Sequence, residues 1–95
     1  MSRDRFVDRV IIVTGGGSGL GEDYCNAFAA EGGKVVCADI DEAAARRTAD
    51  AIRRAGGSAV AVVCDVTKAD QIQQMVELAI HTYNRIDVLV NNAGV

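Results

Sequence analysis

Four short apolar runs punctuate the chain: "RVIIV" (9–13), "KVVCAD" (34–39), "AVAVVC" (59–64) and "DVLV" (87–90). Each is near-continuous in apolar character instead of alternating, the pattern of strands covered on both faces, which predicts parallel pairing. Between them the spacing changes to a helical period. Leu20, Tyr24, Ala27 and Phe28 fall at i, i+4, i+7 and i+8; Ala45, Ala49 and Ile52 at i, i+4 and i+7; Ile72, Met75, Val76, Ala79 and Tyr83 at i, i+3, i+4, i+7 and i+11. Each set lines one face of a helix.

The punctuation agrees with these periods. "EGG" (31–33) and "AGG" (55–57) put glycine where a helix can end in a left-handed residue, and Thr67 with Asp70 three positions on resembles a capping box. The order is therefore β-α-β-α-β-α-β, an α/β chain that demands a parallel sheet with right-handed crossovers. A Rossmann-like doubly wound sheet of order 3-2-1-4 is expected. Its first two crossovers step one way and place their helices on one face. The third steps back, so its helix (about 68–83) lies on the other face, where one helix cannot cover four strands. The last strand is then an open edge, and the sequence stops five residues after it. Residues 1–95 are accordingly expected to be the N-terminal part of one larger domain, incomplete on its C-terminal side.

Composition narrows the class. The chain is 49% hydrophobic and 24% charged, without proline or tryptophan, which argues for a folded globular protein over a disordered one. A formal charge of −3, with basic residues no more clustered than Arg46-Arg47 and Arg53-Arg54, offers a nucleic acid no electrostatic footing. No apolar stretch approaches the roughly 18 residues of a bilayer span, and none resembles a signal-peptide core. A cytoplasmic location is expected, with neither membrane nor nucleic acid as partner. Cys25, Cys37 and Cys64 are an odd number with no CxxC, which fits buried reduced thiols better than disulfides or a zinc site. His81, the only histidine, has no chelating companion nearby, so no metal is expected.

The stretch "TGGGSGLGEDY" (14–24) puts five glycines between the first strand and the first helix. In a doubly wound sheet that junction lies at the carboxyl edge beside the topological switch point. Free N–H groups and the positive end of the helix dipole favour a phosphate there, and glycines remove the Cβ atoms that would hold it off. Gly15, Gly19 and Gly21 thus suit a pyrophosphate. In the G-x-G-x-x-G fingerprint the glycine after Gly15 and Gly17 would fall at Leu20. Gly16 and Gly21 match the ends of a P-loop, but Glu22-Asp23 follow where Lys and Ser or Thr are required. What remains is T-G-x-x-x-G-x-G.

With that spacing the chain resembles the short-chain dehydrogenases/reductases of the classical single-domain type. Beside "TGGGSGLG" stand "ADID" (38–41), "CDVT" (64–67) and "NNAG" (91–94), one at the carboxyl end of each successive strand. The resemblance implies that Gly15, Ser18, Gly19, Leu20 and Gly21 cradle the cofactor pyrophosphate. Asp39, beside Ile40, would accept hydrogen bonds from the adenosine ribose hydroxyls and repel the 2′-phosphate of NADP, which makes the cofactor NAD. Ser18 agrees, because similar NADP-using proteins often carry Arg or Lys near it. Asp65 would meet the adenine amino group and Val66 the ring; Asn92, Ala93 and Gly94 would border the cofactor ribose, and Asn91 would tie the sheet together. Asp41 and Glu42 read more simply as acidic residues opening the next helix. Asp23, where a small apolar residue is commoner, departs from the family pattern.

Family members move a hydride between nicotinamide and an alcohol or carbonyl carbon, with the tyrosine of a Tyr-x-x-x-Lys pair as acid/base and a serine holding the substrate oxygen. Four residues after Tyr24 comes Phe28, and after Tyr83 comes Asp87, so neither tyrosine qualifies. The expected function is the NAD-binding segment of a short-chain oxidoreductase acting on a small alcohol or ketone, without catalytic residues of its own. Similar proteins are commonly homotetramers. The alternatives are a non-catalytic nucleotide-binding or interaction module, and a family member running epimerase or dehydratase chemistry.

Overall fold

The computed structural model describes residues 5–93. Seven elements follow one another: β1 (Val10–Thr14), α1 (Gly19–Ala30), β2 (Lys34–Asp39), α2 (Glu42–Arg54), β3 (Ser58–Val63), α3 (Ala69–Tyr83) and β4 (Val88–Asn91). The strands form one parallel sheet in the order β3-β2-β1-β4. Topology and element types agree with expectation, and strand ends differ by one residue. β1 runs on to Thr14 because that residue still pairs with Ala38 on one side and Asn91 on the other.

Side-chain alternation along the strands divides the interior in two. Ile11, Val13, Val35, Cys37 and Ala59 point toward Cys25 of α1 and Ala49 and Ile52 of α2. Ile12, Val36 and Ala38 point the other way, onto Met75 and Ala79 of α3. Both faces of β1 and β2 are therefore buried, which is why these runs are apolar throughout. α3 packs over β1, β2 and β3, and Leu89 of β4 is left 58% exposed on that side.

Two helical faces differ from the periodicity. On α1, Phe28 packs against the interior, but Leu20 and Tyr24 are 63% and 38% exposed and Ala27 also faces outward. The inward face is Gly21, Cys25, Phe28 and Ala29 instead. Close approach to the sheet selects small residues there, so a search for large apolar ones finds the wrong stripe. On α3, Met75, Ala79 and Tyr83 face the sheet while Ile72 and Val76 lie exposed on its flank. α2 buries Ala45, Ala49 and Ile52 as expected.

Most helix ends follow the sequence signals. Gly32 and Gly56 adopt positive φ just past α1 and α2, and the Asp41 carboxylate caps α2 by accepting from the Ala44 N–H at 3.2 Å. The capping box at Thr67 and Asp70 does not form: Lys68 is the N-cap of α3, and the Thr67 hydroxyl donates to Asp65 instead. The three cysteines are free and buried, and the neighbouring Cys37 thiol, with burial second, pushes the Cys25 thiol well above its ordinary range. Among the described residues no helix is long and apolar enough to cross a membrane, and no cluster of His, Cys, Asp or Glu could hold a metal ion.

One carboxylate joins the starts of β1 and β4. Asp87 Oδ2 accepts from the Val10 N–H at 2.8 Å, while Oδ1 accepts from Arg85 at 2.7 Å and Arg9 at 3.5 Å. Arg85 and the Val10 amide hold the Asp87 carboxyl below its ordinary value of 3.8. Because the folded-state value is depressed, this group's stabilisation is complete above the unfolded value and is lost as pH falls through the folded one. Acid unfolding followed by circular dichroism should therefore have a shallower slope below pH 3.8 in Asp87→Asn, with lower stability at neutral pH. An unchanged slope would show that Asp87 carries no linkage.

Candidate functional site

The loops that leave the carboxyl ends of the strands converge at one edge of the sheet. Gly15, Asp39, Ile40, Cys64, Asp65, Val66, Thr67 and Ala93 line a cleft of about 190 Å³ there. Seven of the twelve residues expected from sequence, namely Gly15, Asp39, Ile40, Asp65, Val66, Ala93 and, through its contact with Gly15, Asn92, come together in this way. Ser18, Gly19 and Leu20 are exposed on the adjoining loop and helix start. Gly94 lies outside the described residues.

The glycines of the loop divide in role. Gly15 has φ +68°, and a Cβ on it would stand 2.9 Å from Asn92 Nδ2, so the turn and its neighbour both demand glycine. At Gly21 a Cβ would lie 1.8 Å from the Gly15 carbonyl oxygen, so its bareness serves the approach of helix to loop. Gly19 is different: φ is +57° and a Cβ would meet nothing within 4 Å. Protein packing does not require a bare backbone there; the space in front of it is open.

That opening faces the start of α1. Ser18 is the N-cap but its side chain closes no hydrogen bond, and the amides of Gly19, Leu20 and Gly21 meet no acceptor among the described residues. Unpaired N–H groups at the positive end of a helix, behind a residue without Cβ, suit an anionic phosphate. Glu22 and Asp23 are exposed on the outer side of the first turn. The residues present therefore fit a diphosphate bridge.

Asp39 closes the neighbouring side. Its Oδ2 accepts from the Gly17 N–H at 2.9 Å and its Oδ1 from the Asp41 N–H at 2.9 Å. The carboxylate thus braces the glycine loop while standing beside the cleft, and Ile40, 69% exposed, extends past it. Across the cleft, Asp65 Oδ1 accepts from both the amide and the hydroxyl of Thr67, at 2.9 and 2.7 Å. These bonds to the ionised form hold the Asp65 carboxyl below its ordinary range.

Two residues without an assigned role prove to organise the site. The Thr14 hydroxyl sits 3.3 Å from the Val90 carbonyl and 3.2 Å from Asn91 Oδ1, and accepts from the Ala93 N–H at 3.2 Å. With Asn92 Nδ2 donating to the Gly15 carbonyl at 3.4 Å, this sets the end of β4 against the glycine loop. The signal was present: an order that puts the fourth strand beside the first brings Thr14 opposite Asn91. Gln71 had no such signal. Its side chain reaches back from α3 to accept the Asp65 N–H at 2.8 Å.

A sequence profile described as "short chain dehydrogenase" matches residues 9–95. The 7alpha-hydroxysteroid dehydrogenase of Escherichia coli (strain K12) is 38% identical over 90 residues, covering 95% of this chain and 35% of that protein. L-fucose dehydrogenase of Bos taurus is 40% identical over 90 residues, covering 95% of this chain and 32% of the relative. The crystal structure of hydroxysteroid dehydrogenase from Escherichia coli superposes with a TM-score of 0.91 at 34% identity, over 95% of this chain and 38% of that one. The chain thus spans about a third of the length of these relatives. With the four-stranded parallel sheet and the glycine loop at its carboxyl edge, the match over nearly every residue leads to one assignment: the chain belongs to the short chain dehydrogenase family.

Proposed function

We propose that this chain is the NAD-binding segment of an oxidoreductase that moves a hydride between NAD(H) and an alcohol or ketone. The observation that carries this reading is the open space before Gly19, bounded by three unpaired amides and flanked by the Asp39 carboxylate. The amides hold the diphosphate. Asp39 accepts from the adenosine ribose hydroxyls and excludes a 2′-phosphate by charge, which selects NAD over NADP. Asp65 and Val66 receive the adenine, and Asn92 and Ala93, held by Gly15 and Thr14, border the second ribose. A bound nicotinamide dinucleotide supplies the hydride chemistry.

The proton transfer that accompanies hydride transfer needs an acid/base, and the 95 residues hold no Tyr-x-x-x-Lys pair to provide it. We assign that step, and the substrate pocket, to residues of the whole protein beyond this segment. Relatives named for a hydroxysteroid and for L-fucose, both hydroxyl-bearing molecules, support a small alcohol as substrate. Assembly as a homo-oligomer in the cytoplasm completes the proposal.

Calorimetric titration of the whole protein that carries this segment with NADH tests it, and the absence of heat from folded protein would end it. Gly19→Ala sharpens the result. The new methyl group meets no protein atom, so the folded state bears only the cost of an alanine at positive φ, about 1–2 kcal/mol. Affinity for NADH should fall at least about tenfold as the methyl fills the phosphate seat. Unaltered affinity would place the diphosphate elsewhere.

A further inference from the structure

Nearly every polar atom of Asp65 is held by a different partner. Its N–H donates to Gln71 Oε1 at 2.8 Å, its carbonyl accepts from the Lys68 N–H at 3.0 Å, and its Oδ1 takes both Thr67 donors. Just upstream, the Cys64 N–H donates to the Asp39 carbonyl at 2.9 Å. Two groups are left over. Among the described residues, Asp65 Oδ2 meets no donor and the Val66 N–H meets no acceptor, and both residues line the cleft. The frame thus leaves one acceptor and one donor on adjacent residues of the cleft.

Gln71 is the long-range member of this frame. Thr67 and Lys68 are neighbours in the turn, whereas Gln71 lies six residues on, in the first turn of α3, its side chain directed back toward the helix N-terminus. By taking the Asp65 amide it fixes the peptide between Cys64 and Asp65, and with it the direction in which the Asp65 side chain leaves the backbone. A carboxylate anchored only through its own turn could still rotate with that turn. Anchoring the amide to α3 removes this freedom.

We infer that Gln71 is a positioning residue for base recognition, holding Asp65 Oδ2 and the Val66 N–H in the orientation that selects adenine over hypoxanthine. This rests on the cleft receiving the adenine end of NAD. Adenine presents an acceptor at N1 and an amino donor beside it, the complement of the Val66 N–H and the Asp65 carboxylate. Hypoxanthine reverses both: a protonated N1 meets a donor, and a carbonyl oxygen meets a carboxylate. A mismatched pair leaves polar groups facing each other without a hydrogen bond, and discrimination depends on how firmly those groups are held.

The test compares binding of NAD and nicotinamide hypoxanthine dinucleotide to the whole protein that carries this segment, by calorimetry, in the native sequence, Gln71→Met and Gln71→Glu. The native chain should prefer NAD by about tenfold, the worth of one hydrogen bond to a charged group. Gln71→Met, similar in length but without the acceptor, should reduce the preference to about twofold. Gln71→Glu retains an acceptor and should retain the preference. A merely structural loss weakens both dinucleotides together and leaves their ratio unchanged. Gln71→Ala, which adds no bulk, gives the same readout if Gln71→Met does not fold. A native preference that survives in Gln71→Met, or that disappears in Gln71→Glu, overturns the role of Gln71 alone. Equal affinity of the native chain for both dinucleotides, or no binding of either, overturns the adenine reading and this inference with it.

Discussion

Gly21→Ala should lower the stability of the chain by about 3 kcal/mol, which for a domain of this size is about 15 °C in Tm. The new Cβ would lie 1.8 Å from the Gly15 carbonyl oxygen and 2.6 Å from its carbon. Both are backbone atoms, so no rotamer change relieves the contact, and either α1 lifts from the sheet or the glycine loop is displaced. Lifting α1 withdraws Cys25 and Phe28 from the interior they fill beside Val13 and Cys37. Thermal melts by circular dichroism measure the effect. Gly56→Ala is the comparison, because there φ is +93° and a Cβ meets nothing within 4 Å. That substitution bears only the backbone cost of a left-handed alanine, about 1–2 kcal/mol. Equal melting of the two variants would mean that the close approach of α1 to the loop does not govern stability.

The second large effect is on cofactor choice. On the proposed seating of the adenosine ribose beside Asp39, the ratio of NAD to NADP affinity should fall by about tenfold or more in Asp39→Asn, as a full charge is removed from the side that would meet the 2′ position. The structure adds a consequence beyond cofactor charge. Asp39 spends both oxygens on the amides of Gly17 and Asp41, so asparagine, with one carbonyl oxygen, leaves one amide without an acceptor and alanine leaves two. Each unpaired amide costs about 1 kcal/mol or more. Asp39→Ala should therefore match Asp39→Asn in lost discrimination but melt lower. Titration with both dinucleotides, alongside melts, separates the two roles. Retained NAD preference in Asp39→Asn would remove the carboxylate from cofactor selection, while equal melting of the two variants would remove it from bracing the loop.

Much of the candidate site could be read from the chain because its residues sit beside strand ends, and strand ends are marked by local chemistry. Asp39, Asp65 and Asn92 each follow an apolar run by a residue or two, and a parallel sheet brings such positions to one edge. Thr14 needed one step more, the strand order. Gln71 was beyond such reasoning: nothing in a glutamine of a helix's first turn says that its side chain turns back to a backbone amide. The buried face of α1 departs from its apolar period for a related reason. Leu20 and Tyr24 keep the period but stay in solvent, since the space beneath the helix admits only Gly21 and Cys25 beside Phe28 and Ala29. Hydropathy records what a side chain prefers, not how much room it is given.

The amino-acid order by itself determined the alternation of strand and helix, the parallel sheet, its strand sequence and the placing of a glycine loop at the switch point. These follow from period, from turn residues and from the handedness of crossovers, all of which act over a few neighbouring residues. Tertiary structure alone decided which glycine has open space before it and which faces a neighbouring carbonyl, which face of α1 is buried, and which atoms of Asp39 and Asp65 are already taken. Those outcomes depend on ångström-scale distances between segments tens of residues apart, and close packing sets such distances only once the whole sheet has assembled.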